Sequence, residues 1–466
     1  MCAGLAAANL ARFSPAPALA VVACARAPCV LAAAGWWWGS RRLHGLGHSV
    51  LLPHVGEGGR ALVETEEPPR IDPFGVRVLG LVRRWDSLRV HEPVLLKLAP
   101  HHAPRQGTRL SVIGFLRAPS SSQAGWLRRQ GVHVVLNVKE SSRVGRRGGV
   151  AGVGDRLQRW LARDSAFGLR GERREVIDAV VLGQPRGLDR TLLDRFRASG
   201  LYHCLAVDGL KVATVAAGAV ALFRRRVFGH LAALAAVGAY VLAVGFHPSV
   251  VRAAVAVALG SLAWLSARER DRWHALLLGA LVLLAWNPAF VLDAGFQLSF
   301  GAVTGIFVVT PRVVHALEGY PVPRVLAQLI GVSTACGLAT APVTWIQFHQ
   351  ISLVTVPANV VAVPVVAEML VAALVTAVVA PVAPPVAAAL AEVNGWAAWF
   401  VDACARFFGG LPGAQVTTAP AAAVVASGVL GAAAYAWRSG GARAEAGLSP
   451  LRQRPAEDRA RAAPPP

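Results

Sequence analysis

The sequence has few charged residues and lacks the short motifs that mark soluble enzymes. Charged residues make up 16% of its 466 residues, whereas a typical soluble protein carries about a quarter. There is no P-loop, no GxSxG, no HExxH and no GxGxxG on a predicted strand–helix unit. A soluble globular protein is therefore excluded, and transport driven by ATP bound to this protein is not expected.

Cysteine is scarce as well. The six cysteines are scattered without a CxxC pair: Cys2, Cys24, Cys29, Cys204, Cys336 and Cys404. Most fall in apolar segments, where cysteine acts as a small hydrophobic residue. His44, His48 and His54 are close in sequence, but they lie in a glycine-rich segment without cysteine or acidic neighbours. We therefore expect no metal site and no other cofactor.

What the protein has in abundance is apolar sequence. Hydrophobic residues make up 55% of it, mean hydropathy is +0.48, and apolar runs near the ~20-residue spanning length recur from Leu201 to Trp437. The predicted spans are 201–222, 228–246, 250–267, 274–287, 294–310, 325–345, 353–380, 384–409 and 420–437. With a retained anchor in residues 1–38, this predicts a polytopic α-helical membrane protein of about 9–10 spans.

The net charge of +21 agrees with this topology. Arginine clusters follow alternate predicted spans at residues 224–226, 268–272, 312–324 and from 438 onward. The positive-inside rule then places these clusters in the cytoplasm and Gly200 outside. A nucleic acid or anionic lipid partner would also favour such a charge.

Five regions follow from the composition. Residues 1–60 are an N-terminal membrane anchor and loop, and 151–200 form an amphipathic helical linker along the membrane surface. Residues 61–150 alternate β-branched and polar residues, which predicts a small extracytoplasmic antiparallel β domain, OB-like in strand number. Residues 201–437 form the multispanning domain, and 438–466 a disordered basic cytoplasmic tail.

The stretch "SGLYHCLAVDGLKVATVAAGAVALF" places His203, Asp208 and Lys211 in an apolar segment. Because Asp208 and Lys211 are three residues apart, they are either an ion pair that lets the helix insert or the wall of an aqueous path. In "VPANVVAVP", Asn359 lies between two prolines, which predicts either a break in the helix that forms part of a substrate path or a simple kink with Asn359 bonded to a neighbouring helix. Arg252 is either a snorkelling anchor or a phosphate contact.

Several short blocks, in this order, resemble the ComEC family of competence proteins. They are "SGLYHCLAVDGLKVA", "HPSVVRAAVAV", "WNPAFVLDAGFQLSFGAVTGI" and "ATAPVTWIQFHQISLVTVPANVVAVPVV". Upstream, "AGWLRRQGV" and "VLGQPRGLDRTLLDRF" resemble the family's domain junction, so the likeness covers roughly residues 61–437. Asp208 stands where the family usually has Ser and Lys211 where it has His. The HxHxDH motif of the family's C-terminal nuclease-like domain is absent, so nuclease activity is not carried over.

The resemblance implies an inner-membrane channel for single-stranded DNA that is not itself an enzyme. Its path would be lined by polar groups of the helical domain: His203, Asp208, Lys211, Arg252, Gln297, Ser299, Gln347, His349 and Asn359. On the β domain, DNA contacts would come from Arg83, Arg84, Trp85, Trp126, Arg128 and Arg129. The implied partners are membrane lipids, a ComEA-type DNA receptor, a separate nuclease, a cytoplasmic helicase or translocase, and a second copy of the protein.

Three alternatives stay open. The protein could be a secondary transporter of a smaller anionic substrate, since buried charges and broken helices also build transporters. Ser299 and His349 are the only loose pair for an intramembrane hydrolase. A degenerate competence-like membrane protein is the third.

Overall fold

The computed structural model describes residues 1–7, 9, 27–72, 75–99, 103–184, 188–223, 226–266, 271–424 and 427. A β-barrel lies between a short N-terminal helical part and a large helical domain. The strands are β1 (Gly58–Thr65), β2 (Arg70–Asp72), β3 (Gly75–Trp85), β4 (Leu88–Leu98), β5 (Thr108–Arg117), β6 (Val135–Arg146), β7 (Ile351–Ser352) and β8 (Gln415–Val416).

The helices occupy most of the remaining described residues. They are α1 (Cys2–Ala7), α2 (Ala27–Gly47), α3 (Ser121–Arg129), α4 (Gly149–Asp164), α5 (Glu172–Leu182), α6 (Arg190–Ala198), α7 (Tyr202–Leu205), α8 (Gly209–Leu222), α9 (Arg226–Val244), α10 (Pro248–Leu265), α11 (Arg272–Trp286), α12 (Ala294–Val308), α13 (Thr310–Ala316), α14 (Arg324–Phe348), α15 (Thr355–Val379) and α16 (Pro384–Gly409). Two 3-10 turns cover Leu52–His54 and Pro288–Leu292.

The β-barrel is closed by five strands. β1 pairs with β5 and β3, β3 with β4, β5 with β6, and β4 with β6. Along each strand, every second side chain points into the barrel. Val63, Val78, Leu96 and Leu136 are examples, each at most 1% exposed. The predicted small β domain is confirmed, with one difference: β4 and β6 run parallel. A parallel pair needs a crossover connection, and β5 with α3 supplies it.

Within the described residues, five helical segments are long and apolar enough to cross a membrane, when α12 and α13 are counted as one. They are Arg226–Val244, Pro248–Leu265, Ala294–Ala316, Arg324–Phe348 and Thr355–Val379. The fold class, a polytopic α-helical membrane protein with a β domain, is thereby confirmed. The count is lower than the predicted 9–10, in part because α8 and α11 are apolar but short. The predicted span 420–437 lies mostly outside the described residues, as do the tail 438–466 and much of the N-terminal anchor.

The predicted break around Asn359 is wrong. α15 runs without interruption from Thr355 to Val379, with Pro364 inside it. Pro357 falls in the first turn, where a helix leaves its N–H groups without an intrahelical acceptor, so the ring costs little. The break comes earlier, at His349, whose φ of 55° ends α14 in the left-handed region.

The region predicted as an amphipathic helical linker packs on the helical domain. Within it, α5 buries Val176, Ile177, Val180 and Val181, each 1% exposed or less, in the core that α15 and α16 complete. Its place along the membrane surface stays a prediction.

Two polar contacts join the barrel domain to the helical domain. Asn287 Nδ2, just after α11, donates to the carbonyl of Arg129 at the end of α3 at 3.1 Å. Arg147, just after β6, forms an ion pair with Asp155 of α4 at 2.6 Å. In addition, Arg42 of α2 donates to the Trp286 carbonyl of α11 at 2.7 Å.

Asp178 predicts a pH dependence of stability. Its carboxylate lies 3.5 Å from Arg174 and Ser165, and burial raises its pKa from 3.8 to about 6. The folded state therefore holds the proton more tightly than the unfolded state does. This contribution is fully present below about pH 4 and is lost as the pH rises through about 6, on the order of 1–3 kcal/mol.

Asp178→Asn should remove this dependence. Thermal unfolding in detergent from pH 4.5 to 7.5 measures it, with the exposed Asp194→Asn as the control. An unchanged pH slope in Asp178→Asn would contradict the assignment.

Candidate membrane pathway in the helical domain

The backbone loses its helical form at residues 206–208, between α7 and α8. Gly200 turns the backbone into α7 with a φ of +78°, and a Cβ there would collide with Thr355 Oγ1. Asp208 is extended and begins α8, with its carboxylate accepting from the Lys211 backbone N–H at 3.1 Å. This N-cap is worth about 1 kcal/mol.

Three carbonyl groups at the interruption accept hydrogen bonds from side chains. Lys211 Nζ donates to the carbonyls of Cys204 at 2.8 Å and Ala206 at 2.7 Å. Ser249 Oγ on α10 donates to the Val207 carbonyl at 2.8 Å. Since an unpaired polar group costs several kcal/mol in an apolar environment, these two side chains make the interruption tolerable.

The predicted alternatives for Asp208 and Lys211 did not include this arrangement. The two residues share the first turn of α8, but the carboxylate accepts from a backbone N–H and the ammonium donates to backbone carbonyls. Lys211 is 2% exposed. An ion pair between the two side chains is therefore wrong, because each charge instead binds the helix end of opposite polarity.

A small cavity of about 10 Å³ adjoins this site, which is room for roughly one water molecule. Its polar lining comes from His203, Asp208, Lys211 and Thr214, and its apolar wall is Val363, Val366, Ala367 and Leu370 of α15. His203 Nδ1 lies 2.9 Å from the Gly200 carbonyl, and its Nε2 lies 3.6 Å from Cys204 Sγ. Three predicted path residues therefore meet at one cavity.

Asn359 lies one turn before this cavity on α15. It precedes Val363 by four residues and so shares its helix face. The side chain is 5% exposed, and its Oδ1 has no hydrogen-bond partner within the described residues. Unpaired buried amide oxygens are rare in proteins, and this one lies on the helix face that borders the cavity.

Arg252 forms a second polar group beside the interruption. Its Nε donates to Ser299 Oγ at 2.7 Å, and its guanidinium lies 5.9 Å from the Phe300 ring. Nη2 is 3.0 Å from where a Cβ of Gly209 would stand, so a larger residue would displace it. Arg252 thus connects α10 with α12 next to the start of α8.

The other predicted path residues lie apart from this group. Gln297 donates to the Val291 carbonyl at 2.9 Å and accepts from Gln347 at 3.3 Å, which links α12 with α14. His349 is exposed at the end of α14, with its ring 6.1 Å from that of Trp345. Ser299 and His349 have different partners in the described contacts, so the geometry does not assemble a hydrolase pair.

The six predicted contacts on the barrel differ in accessibility. Arg84, Arg128 and Arg129 are exposed, and Trp126 is half-buried with the Arg70 guanidinium 5.8 Å from its ring. Trp85 cannot stack on a base, because it is 2% exposed and packs in the barrel core. Successive side chains of a strand point to opposite faces, so Arg84 points outward and Trp85, the next residue, points into the barrel.

Arg83 is exposed, but its guanidinium already binds other residues of the barrel. It donates to Glu64 at 2.8 Å and lies 2.7 Å from His91 Nδ1. Burial would raise the pKa of the Glu64 carboxyl, but hydrogen bonds from Arg83 and Arg109 hold it below the usual value. Arg83 therefore stabilises the barrel wall.

Sequence reasoning missed Ser249 and Thr214. Ser249 follows a proline at the start of α10, and nothing in the spacing points to a carbonyl 42 residues earlier. The Asp-Gly pair at 208–209 was a signal that could have been found, since aspartate before an apolar helical run is typical of an N-cap.

Removal of the Lys211 ammonium should destabilise the domain. In Lys211→Met the carbonyls of Cys204 and Ala206 lose their donors, which costs about 2–4 kcal/mol. The matched control is Thr214→Val, because Thr214 Oγ1 donates to the Leu210 carbonyl of its own helix. Thermal unfolding in detergent measures both, and equal midpoints for Lys211→Met and wild type would refute the role.

Comparisons with known proteins agree with the resemblance noted from the motifs. The model of the family described as "Competence protein" matches residues 180–440. ComE operon protein 3 of Bacillus subtilis (strain 168) is 31% identical over 196 residues, which is 41% of this sequence and 24% of that protein. "Uncharacterized protein YcaI" of Escherichia coli (strain K12) is 27% identical over 212 residues, 41% of this sequence and 27% of that protein.

The matches thus span about a quarter of these two relatives. No solved structure matches the protein. The family match covers more than half of the sequence and contains the interruption, Lys211, Arg252 and Asn359. This protein belongs to the ComEC family of competence proteins.

Proposed function

We propose that this protein is an inner-membrane, multi-pass channel that conducts single-stranded DNA into the cytoplasm during natural transformation, and that it is not an enzyme. The observation that carries the proposal is the presence of two cations, the buried Lys211 and the half-buried Arg252, beside an interrupted helix. Charged groups inside a membrane domain are costly and mark the path of a substrate. Cations are the charges that a polyanion requires.

The β-barrel receives the strand in this proposal. Its closure by five strands with one parallel pair supports an OB-like assignment, and such barrels bind oligonucleotides. Arg84, Arg128 and Arg129 are exposed for phosphate contacts, and Trp126 is the remaining candidate for base stacking. The arginine distribution along the sequence favours an extracytoplasmic barrel.

Conduction requires a movement of α8 against α15. A cavity of about 10 Å³ holds one water molecule and no nucleotide. The contacts that close it are apolar, through Val363, Val366 and Leu370, so separation of the two helices breaks no salt bridge there. The described conformation is thus the closed state of the proposed channel.

The proposed channel needs other components. A ComEA-type receptor would deliver DNA, a separate nuclease would degrade the other strand, and a cytoplasmic helicase or translocase would pull the strand inward. Membrane lipids surround the helices, and a second copy of the protein would widen the path.

A second candidate function is secondary transport of a smaller anion. The interruption between α7 and α8 supports it, because discontinuous helices form the substrate sites of many transporters. The one-water cavity supports it too, since a small solute needs less opening than a strand of DNA.

Arg252→Gln tests the channel in a transformable host. Uptake of labelled DNA should fall at least 10-fold, because one of the two cations beside the interruption is lost, while the amount of protein in the membrane stays the same. Arg324→Gln is the matched control, because Arg324 is exposed at the start of α14. Undiminished uptake after deletion of the gene would refute the proposal, and flux of small anions into proteoliposomes without DNA uptake would favour the second candidate.

A further inference from the structure

Two histidines face each other at the C-terminal end of α2. His44 and His48 are four residues apart, are both exposed, and have their Nε2 atoms 3.0 Å apart. Their ring centroids are 4.6 Å apart, with the ring planes at 78°. The site belongs to neither the barrel contacts nor the helical pathway.

The separation of the two rings fits a chelate more closely than a straight hydrogen bond. A straight N–H···N bond with the nitrogens 3.0 Å apart would place the ring centroids about 5.3 Å apart. The observed 4.6 Å is shorter, so the two nitrogens converge on a point beside the line that joins them. Two imidazoles bound to one metal at about 2.1 Å and about 90° would have nitrogens about 3.0 Å and centroids about 4.6 Å apart.

The ligand set narrows the choice of metal. Within the described residues there is no group of three or more His, Cys, Asp or Glu placed to hold a metal, and His54 contacts Glu57 at 2.7 Å instead of joining the pair. The two imidazoles would therefore take two adjacent coordination positions of the metal, and water would take the others. Neutral imidazole with a right-angled arrangement suits Cu²⁺ and Ni²⁺.

We propose that His44 and His48 form a two-histidine chelate for a divalent transition-metal ion of the Cu²⁺ or Ni²⁺ type. The last turn of α2 contains Gly45 and Gly47, and glycine is a poor helix former. Between them, the Leu46 carbonyl lies 2.7 Å from His133 Nε2 of the barrel. A metal bound across this turn would hold it helical and so fix the connection between α2 and the barrel.

Titration of the purified full-length protein in detergent, without an affinity tag, tests the site with Ni²⁺ and Cu²⁺. Calorimetry should show one site whose affinity falls at least 10-fold in His44→Ala and in His48→Ala. His315→Ala is the matched control, since it also removes an exposed helical histidine, one that contacts Glu318. The electron paramagnetic resonance spectrum of the Cu²⁺ form should show two nitrogen ligands in the wild type and one in each variant.

Three results would overturn the proposal: absence of binding to the wild type, unchanged affinity in the two variants, or a loss in only one of them. Both side chains are exposed, so the metal-free variants should unfold at the wild-type temperature. If a variant unfolds earlier, the resonance spectrum of Cu²⁺ bound to the folded wild type still decides, because fewer than two nitrogen ligands refutes the chelate.

Discussion

The helical domain depends on one ammonium group and the two carbonyls that it binds. Lys211 reaches back across the interruption at residues 206–208 and holds the end of α7 against the start of α8. Asp208 holds the other side of the same joint through the backbone N–H of Lys211. A helix can change direction inside an apolar domain only where its freed backbone groups find partners, and here a short loop and one long side chain provide them.

This joint organises the polar groups around it. Arg252 lies against Gly209 and binds Ser299, so α8, α10 and α12 meet at the start of α8. The cavity at the same joint has an apolar wall, which residues of α15 form. Cationic groups and an apolar seam thus lie side by side, which suits a passage that must attract a polyanion and yet stay closed in its absence.

The sequence predicted the fold class and the β domain, because these follow from hydropathy and strand alternation, and it named three residues that the structure brings to one cavity. It did not predict which partner each residue binds. Lys211 binds carbonyls because a three-residue loop brings them within reach, and Trp85 turns inward because of its strand register; neither is visible in spacing alone. The prolines flanking Asn359 led to a wrong prediction of a helix break for a related reason. Pro357 falls in the first turn of α15, where a backbone N–H would have no intrahelical acceptor in any case.

The attachments of the barrel have a mechanical consequence. Asn287 connects the end of α3 in the barrel domain to the end of α11, and Arg147, just after β6, connects to α4 through Asp155. A force that pulls on the barrel is therefore carried by an amide contact and an ion pair. α4 packs on α9, where Gly154 lies against the Leu242 carbonyl. Tension on the barrel would accordingly reach α9, the helix that lies against α8.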